Sequence, residues 1–250
     1  MALQEEFEAQ GNFLFKYRSN FPLIFVAIGL IVFILQKTDP DFNNPISYSW
    51  IEVLSLFVSL FGLFIRVFTV GFTPANTSGR NTKEGQVAEK LNTSGFYSLV
   101  RHPLYLGNFF MWLGAVLLTV NVWFIILFAF VYWIYYERIM FAEEQFLRRK
   151  FRSVYSNWAS RTSAFLPSFR SYIKPTYPFS LKKVLKKEKN GLVAIFLLLF
   201  VFHNLSYSIE SKQIIIDFNW IFWFTIILAT LYFILKILKH NTNLLNEKGR

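Results

Sequence analysis

The apolar residues of this chain are gathered into six long blocks, and that grouping restricts the fold more than any single motif. The blocks run over Phe21–Gln36, Tyr48–Phe72, Pro103–Val120, Val122–Tyr136, Gly191–Leu205 and Phe218–Leu238. They are too unbroken to be one face of a water-soluble core, and they approach the roughly 20 apolar residues that cross a bilayer as a helix. No water reaches backbone N–H and C=O groups in the hydrocarbon layer, so such blocks must be helical. Composition agrees: 54% of the 250 residues are hydrophobic and only 16% are charged, against about 25% charged in a soluble domain. The expected fold is an all-α integral membrane protein of about six transmembrane helices.

The third and fourth blocks are separated only by Asn121, so they form a tight antiparallel hairpin at the centre of the chain. After Arg138 the hairpin's second helix continues out of the apolar zone. Met140, Leu147, Phe151, Val154, Tyr155 and Trp158 recur at helical spacings, which predicts a cytoplasmic amphipathic helix. Gly71–Arg101 forms a long polar connection in which Ala88–Leu91 is expected to be a short helix, followed by turn chemistry at Asn92–Gly95. The organisation expected is an N-terminal transmembrane pair (1–72), a core holding the hairpin (73–167), and a basic linker with a C-terminal transmembrane pair (168–250). Residues 1–20 read as a partly amphipathic lead rather than a cleaved signal, because Glu5, Glu6 and Glu8 are acidic and no small-x-small site follows.

Charge orients the spans. The net charge is +11, and with both termini inside, the outer connections hold only Lys37 and Lys212 of the 26 lysines and arginines. The positive-inside rule therefore puts both termini, the polar connection and the amphipathic helix in the cytoplasm. A basic chain of this kind does not imply nucleic acid, since no recognised module accompanies the charge. Lys182, Lys183, Lys186, Lys187 and Lys189 read either as contacts to anionic headgroups or as a topology signal. The absence of cysteine excludes disulfides and thiolate chemistry, and three widely spaced histidines offer no metal-ligand spacing.

Ionisable groups cluster at one mouth of the hairpin. Arg66 lies near the inner end of the second block, as either a contact for an anionic group or a snorkelling arginine. Arg101-His102-Pro103 begins the hairpin, and helix N-termini suit carboxylates and phosphates. Gly107 allows close approach by a ligand or a neighbouring helix. Glu137, Arg138, Glu143 and Glu144 stand at the other side of the mouth, able to hold an ammonium or a ribose diol, or to pair as a solvated helix face.

Together these parts have a more specific meaning. Leu91 to Gly107, with Arg101-His102-Pro103-Leu104-Tyr105 at its centre, and the later Glu143-Glu144, Leu147, Phe151, Tyr155, Trp158, Arg161 and Pro167 resemble the isoprenylcysteine carboxyl methyltransferase family. That broad group of integral membrane methyltransferases includes the phospholipid methyltransferases. The resemblance covers roughly residues 60–167 and makes 73–167 the methyltransferase core. It implies S-adenosyl-L-methionine as cofactor, bound by Leu91, Tyr97, His102, Pro103, Leu104, Tyr105 and Glu143. It implies Arg66 and Arg138 as the catalytic contacts to the substrate. The chain departs from the family in the spacing of Arg138 to Glu143, in carrying Arg152 where a glycine is usual after Phe151, and in its last two spans.

The function implied is methyl transfer to a lipid-borne anionic acceptor, a lipid phosphate or a prenyl-linked carboxylate, with no metal and no nucleic acid. Such an acceptor needs no general base, and the cytoplasmic mouth offers Arg66, Arg80, Arg101 and Arg138. The stretch Ser78-Gly79-Arg80-Asn81 points weakly the same way. The alternatives are phospholipid N-methylation, a sterol-reductase-like membrane oxidoreductase, and a non-catalytic membrane scaffold. The location implied is a bacterial inner membrane.

Overall fold

The computed structural model describes residues 2–42, 47–75, 77, 80–82, 85–247 and 249, with the backbone alone for 80–82, 85–87 and 171. The weak pointer at Ser78 and Gly79, and the side chain of Arg80, lie outside the described residues. The chain opens with α1 (Leu3–Tyr17), bends at Arg18–Asn20, and continues as α2 (Phe21–Thr38) and α3 (Tyr48–Gly71). A small antiparallel hairpin, β1 (Arg80–Thr82) and β2 (Gly85–Val87), precedes the one-turn helix α4 (Phe96–Leu99). Then come α5 (Pro103–Leu117), α6 (Val122–Ala159), α7 (Leu181–Ser211) and α8 (Trp220–Asn241). The fold is that of an all-α integral membrane protein. Among the described residues α2, α3, α6, α7 and α8 are long and apolar enough to cross a membrane, and α5 is a shorter apolar helix of 15 residues.

Two expectations change. Ala88–Leu91 is not helical: Ala88, directly after β2, is fully buried beside Leu147 and Tyr155, and Lys90 bridges Thr77. A helix of one turn is costly to nucleate, so that tertiary contact decides the conformation. The lysine-rich segment expected to be linker is instead the start of α7. Ser180 caps that helix by accepting from the Lys183 backbone N–H, and the Lys183 ammonium donates to the Thr73 and Pro74 carbonyls.

The centre is the tight crossing of α3 and α5. Gly62 and Gly107 face each other there. A Cβ on Gly107 would stand 2.6 Å from Arg66 Cγ and 2.8 Å from the Gly62 carbonyl oxygen. Close approach lets Ser55 and Ser59 donate across to the Gly114 and Met111 carbonyls at 2.6 and 3.1 Å. Small residues and interhelical hydrogen bonds are what hold helices together in lipid, where no hydrophobic drive operates. Gly107 thus serves a neighbouring helix.

The hairpin turn between α5 and α6 is fixed by polar groups. Asn121 accepts from the Phe124 N–H at 2.9 Å and donates to Gln36 at 2.6 Å, and Gln36 donates to the Val120 carbonyl. Beyond its apolar part α6 runs on without a break at Tyr136, then kinks at Arg152, whose φ of 47° is left-handed. This is the position where the resembled family carries glycine, the residue that adopts such a φ without steric cost.

α1 is clamped along the C-terminal half of α6. Gly11 lies so close that a Cβ would overlap the Arg138 carbonyl. Phe15 is buried, Tyr135 donates to the Leu14 carbonyl at 3.1 Å, and Arg149 grips Glu8 with two bonds. That grip holds the Glu8 carboxyl below its ordinary range.

Candidate functional site

The site is built on the first turn of α5 and the middle of α6. Pro103 suits the first turn of a helix, and it is buried. This fixes His102 as the residue before the helix, with its ring aimed at α6. His102 Nε2 donates to Glu144 at 2.9 Å and Nδ1 stands 3.7 Å from Glu143. Arg101 Nη1 donates to the other Glu144 oxygen at 2.6 Å, and Tyr105 donates to Glu143 at 3.0 Å. The adjacent glutamates therefore tie two helices together through different partners. Burial raises the Glu144 carboxyl, but His102 and Arg101 outweigh it and leave it below the usual range.

The kink at Arg152 brings the end of α6 back to this cluster. Trp158 donates to the Tyr97 carbonyl at 3.1 Å. The irregular run after α6 laces along the segment before α5: Arg101 donates its N–H to the Ser163 carbonyl, Ser168 to Leu99 and Gly95 to Ile173.

These elements surround one cavity of about 670 Å³, within the usual range of small-molecule sites. At one end its wall is Leu91, Asn92, Tyr97, Arg101, His102, Leu104, Tyr105, Glu143 and Trp158. It then passes Arg66, Asn108 and Tyr136 and ends in the membrane zone at Ser55, Leu118 and Leu198. Ser55 lies about 16 Å from Arg66 along α3 at the helical rise. The chamber is thus polar and aromatic at one end and apolar at the other.

Of the residues read as a cofactor site, Leu91, Tyr97, His102, Leu104, Tyr105 and Glu143 line this one cavity; Pro103 supports the wall from behind. Arg66 also lines it. It is held by Glu188 at 2.7 and 2.8 Å and donates to Asn108 at 2.5 Å. Arg138 is not part of the lining: its guanidinium lies 3.4 Å over the Phe7 ring, where it holds α1. Glu188, Asn108, Tyr136 and Arg18 belong to the wall and were not singled out from sequence. Glu188 carried a signal, as the single acidic residue among the lysines of Lys182–Lys189.

The residues fit S-adenosylmethionine. Glu143 faces the polar end, where a carboxylate suits an ammonium or a ribose diol, and Tyr97, Tyr105 and Trp158 give aromatic faces that suit a sulfonium or a purine. The Asn92 side-chain nitrogen, on the same wall, is buried with no hydrogen-bond partner among the described residues, a donor left for a ligand.

The phospholipid methyltransferase family matches residues 50–154. Over 158 residues, 62% of this chain and 67% of the other, the chain is 29% identical to the nickel-cobalt-cadmium resistance protein NccN of Alcaligenes xylosoxydans xylosoxydans. Over 126 residues, 50% and 54% of the two chains, it is 31% identical to the cobalt-zinc-cadmium resistance protein CzcN of Cupriavidus metallidurans. It is 32% identical over 74 residues, 30% and 31% of the two chains, to the protein-S-isoprenylcysteine O-methyltransferase of Saccharomyces cerevisiae. The chain thus spans about half of the second relative and about a third of the third. No solved structure matches the chain. Over residues 50–154, which carry α3, the loop before α5, the hairpin and most of α6, the chain matches the phospholipid methyltransferase family, with isoprenylcysteine methyltransferases among its relatives.

Proposed function

We propose that the chain is an S-adenosylmethionine-dependent membrane methyltransferase that acts on a lipid-borne anionic acceptor, either a phosphate or a prenyl-linked carboxylate. The observation that carries the acceptor class is the charge of the cavity wall. Four cations, Arg18, Arg66, Arg101 and Lys187, line it beside two carboxylates, Glu143 and Glu188. Both of those carboxylates are already engaged, Glu143 by Tyr105 and Glu188 by Arg66. An oxyanion arrives ready to react, whereas an ammonium acceptor would first have to give up a proton.

Leu91, Tyr97, His102, Leu104, Tyr105 and Glu143 hold the cofactor in this reading, with Pro103 fixing the start of α5. When bound, the cofactor would supply an electrophilic sulfonium methyl, and an anionic acceptor could take it with the C–S electron pair leaving to sulfur and no proton transfer. The protein's contribution is alignment and charge. Glu143 and its Tyr105 partner orient the donor side, and Arg66, set by Glu188 and Asn108, faces the acceptor side. The apolar depth between Ser55 and Leu198 takes the lipid tail. In this reading the site faces the cytoplasm, which the lysine cluster supports through the positive-inside rule.

The test is transfer of a labelled methyl from S-adenosylmethionine by the purified protein in mixed micelles. The probes are phosphatidic acid, N-acetyl-farnesylcysteine and phosphatidylethanolamine. Label in either of the first two supports the reading. Label confined to phosphatidylethanolamine replaces the acceptor class, and no label in any probe contradicts the reading.

A further inference from the structure

The cavity is bounded on its open side by two elements that both lie outside the segment 50–154. Among its lining residues the exposed ones are Ser19 and Leu23, at the bend between α1 and α2, and Lys187 and Asn190, in the early turns of α7. All other lining residues are buried or half-buried. Leu23 is 66% exposed although it also lines the cavity, so the wall at the bend is one side chain thick. Both lips sit where an apolar run begins. Pro22 and Leu23 open α2, and the apolar part of α7 starts at Gly191. That is headgroup depth, the level at which a lipid presents its polar end to a protein.

Arg18 stands just inside this opening. Its guanidinium lies 4.0 Å over the Phe15 ring, and Phe15 is buried against α6. The clamp of α1 on α6 therefore fixes where Arg18 points. It shares the cavity wall with Tyr105 and Tyr136, whose rings are 4.9 Å apart. Tyr105 in turn donates to Glu143, on the wall assigned to the cofactor. A single cation thus joins the lipid-level opening to the place where the two halves of the chamber meet.

We propose that Arg18 is the specificity-determining contact for the acceptor: it binds the anionic headgroup of a membrane lipid that enters between the α1–α2 bend and α7, with Lys187 on the opposite lip. This rests on the methyltransferase reading above and adds to it a binding residue contributed by the N-terminal lead. A cation at the bend explains why α1 is held so firmly. A guanidinium also fits a phosphate or a carboxylate with two parallel N–H donors, which an ammonium does not.

The experiment compares wild type with Arg18→Gln, Arg18→Lys and, as a charge control on the same helix, Lys16→Gln. Lys16 is exposed and does not line the cavity. Stabilisation by S-adenosylhomocysteine is measured for each, and then KM and kcat for labelled methyl transfer to phosphatidic acid and to N-acetyl-farnesylcysteine. The expected result is an S-adenosylhomocysteine shift unchanged in all four proteins. KM for the anionic probe should rise tenfold or more in Arg18→Gln, recover in part in Arg18→Lys, and stay put in Lys16→Gln. The probe with the larger Arg18 effect identifies phosphate or carboxylate as the natural headgroup.

An unchanged KM in Arg18→Gln overturns this inference and leaves methyl transfer standing. Equal loss in Lys16→Gln overturns it too, since surface charge would then be the cause. Loss of the S-adenosylhomocysteine shift in both Arg18 variants makes the residue structural and likewise overturns it. A wild type that binds S-adenosylhomocysteine but labels neither anionic probe overturns the acceptor reading and this inference with it.

Discussion

His102 and Glu144, 42 residues apart in sequence, meet through a hydrogen bond of 2.9 Å that ties the start of α5 to the middle of α6. Arg101 completes the tie on the second oxygen of Glu144 at 2.6 Å. The carboxylate is mostly buried, with 17% of its side chain exposed. Removing it leaves a histidine and an arginine facing a desolvated gap. Glu144→Ala is expected to destabilise the protein by about 2–3 kcal/mol, the scale of a charged hydrogen-bonded group lost from a partly buried site. Unfolding in detergent with and without the substitution measures it.

The same tie predicts a pH dependence. The Glu144 carboxyl is held below its ordinary value in the folded protein. Its contribution is therefore complete above the unfolded value of about 4.3 and is lost as pH falls through the lower, folded value. Between pH 5 and 8 Glu144 should leave the unfolding temperature flat. Below about pH 4 wild type should lose stability faster than Glu144→Gln. Parallel acid limbs for the two proteins would contradict the assignment.

Arg66 and Glu188 are expected to behave as one unit. The Glu188 side chain is only 5% exposed, so Arg66→Met strands a buried carboxylate. Each single substitution should cost about 3–5 kcal/mol, and the double substitution Arg66→Met with Glu188→Met less than the sum. A double-mutant cycle on unfolding reads the coupling directly. Activity should fall in all three variants, because Arg66 lines the cavity as well as holding it.

Gly107→Ala places a methyl group 2.6 Å from the Arg66 side chain and 2.8 Å from the Gly62 carbonyl. The α3–α5 crossing must open to admit it, at an expected cost of about 1–3 kcal/mol. The accompanying shift of Arg66 should lower methyl transfer more than S-adenosylhomocysteine binding. Thermal unfolding and the two functional readouts together check this.

Arg152→Gly should stabilise the protein. A φ of 47° is costly for arginine and not for glycine, and the difference is about 1–2 kcal/mol. The expected rise in unfolding temperature comes without change in activity, since Arg152 is exposed and does not line the cavity.

The spans were legible in the sequence because lipid imposes one requirement on every residue of a helix, and apolar blocks record it. The hairpin at Asn121 and the cluster Leu91, Tyr97, His102, Tyr105 and Glu143 were legible because each is local or carried by a motif. What was not legible depends on contacts between distant segments. Ala88 is buried against Leu147 and Tyr155 outside any helix, and no propensity at residues 88–91 records that. Arg66 finds its partner 122 residues away at Glu188. Arg138, implied by resemblance to touch substrate, lies instead over Phe7, because α1 occupies that face of α6. Arg18 reaches the cavity through the packing of Phe15 and Gly11, which a partly amphipathic lead does not announce.

The central claim is that the chamber walled by Glu143, Tyr105 and His102 holds S-adenosylmethionine. The most direct measurement is thermal unfolding of the detergent-purified protein with and without S-adenosylhomocysteine, for wild type and Glu143→Ala. A ligand that binds only the native state adds about 2.7 kcal/mol at a hundredfold excess over its dissociation constant. The account predicts a clear upward shift in wild type that is largely lost in Glu143→Ala. A folded wild type that shows no shift, or a shift that Glu143→Ala leaves intact, would contradict it.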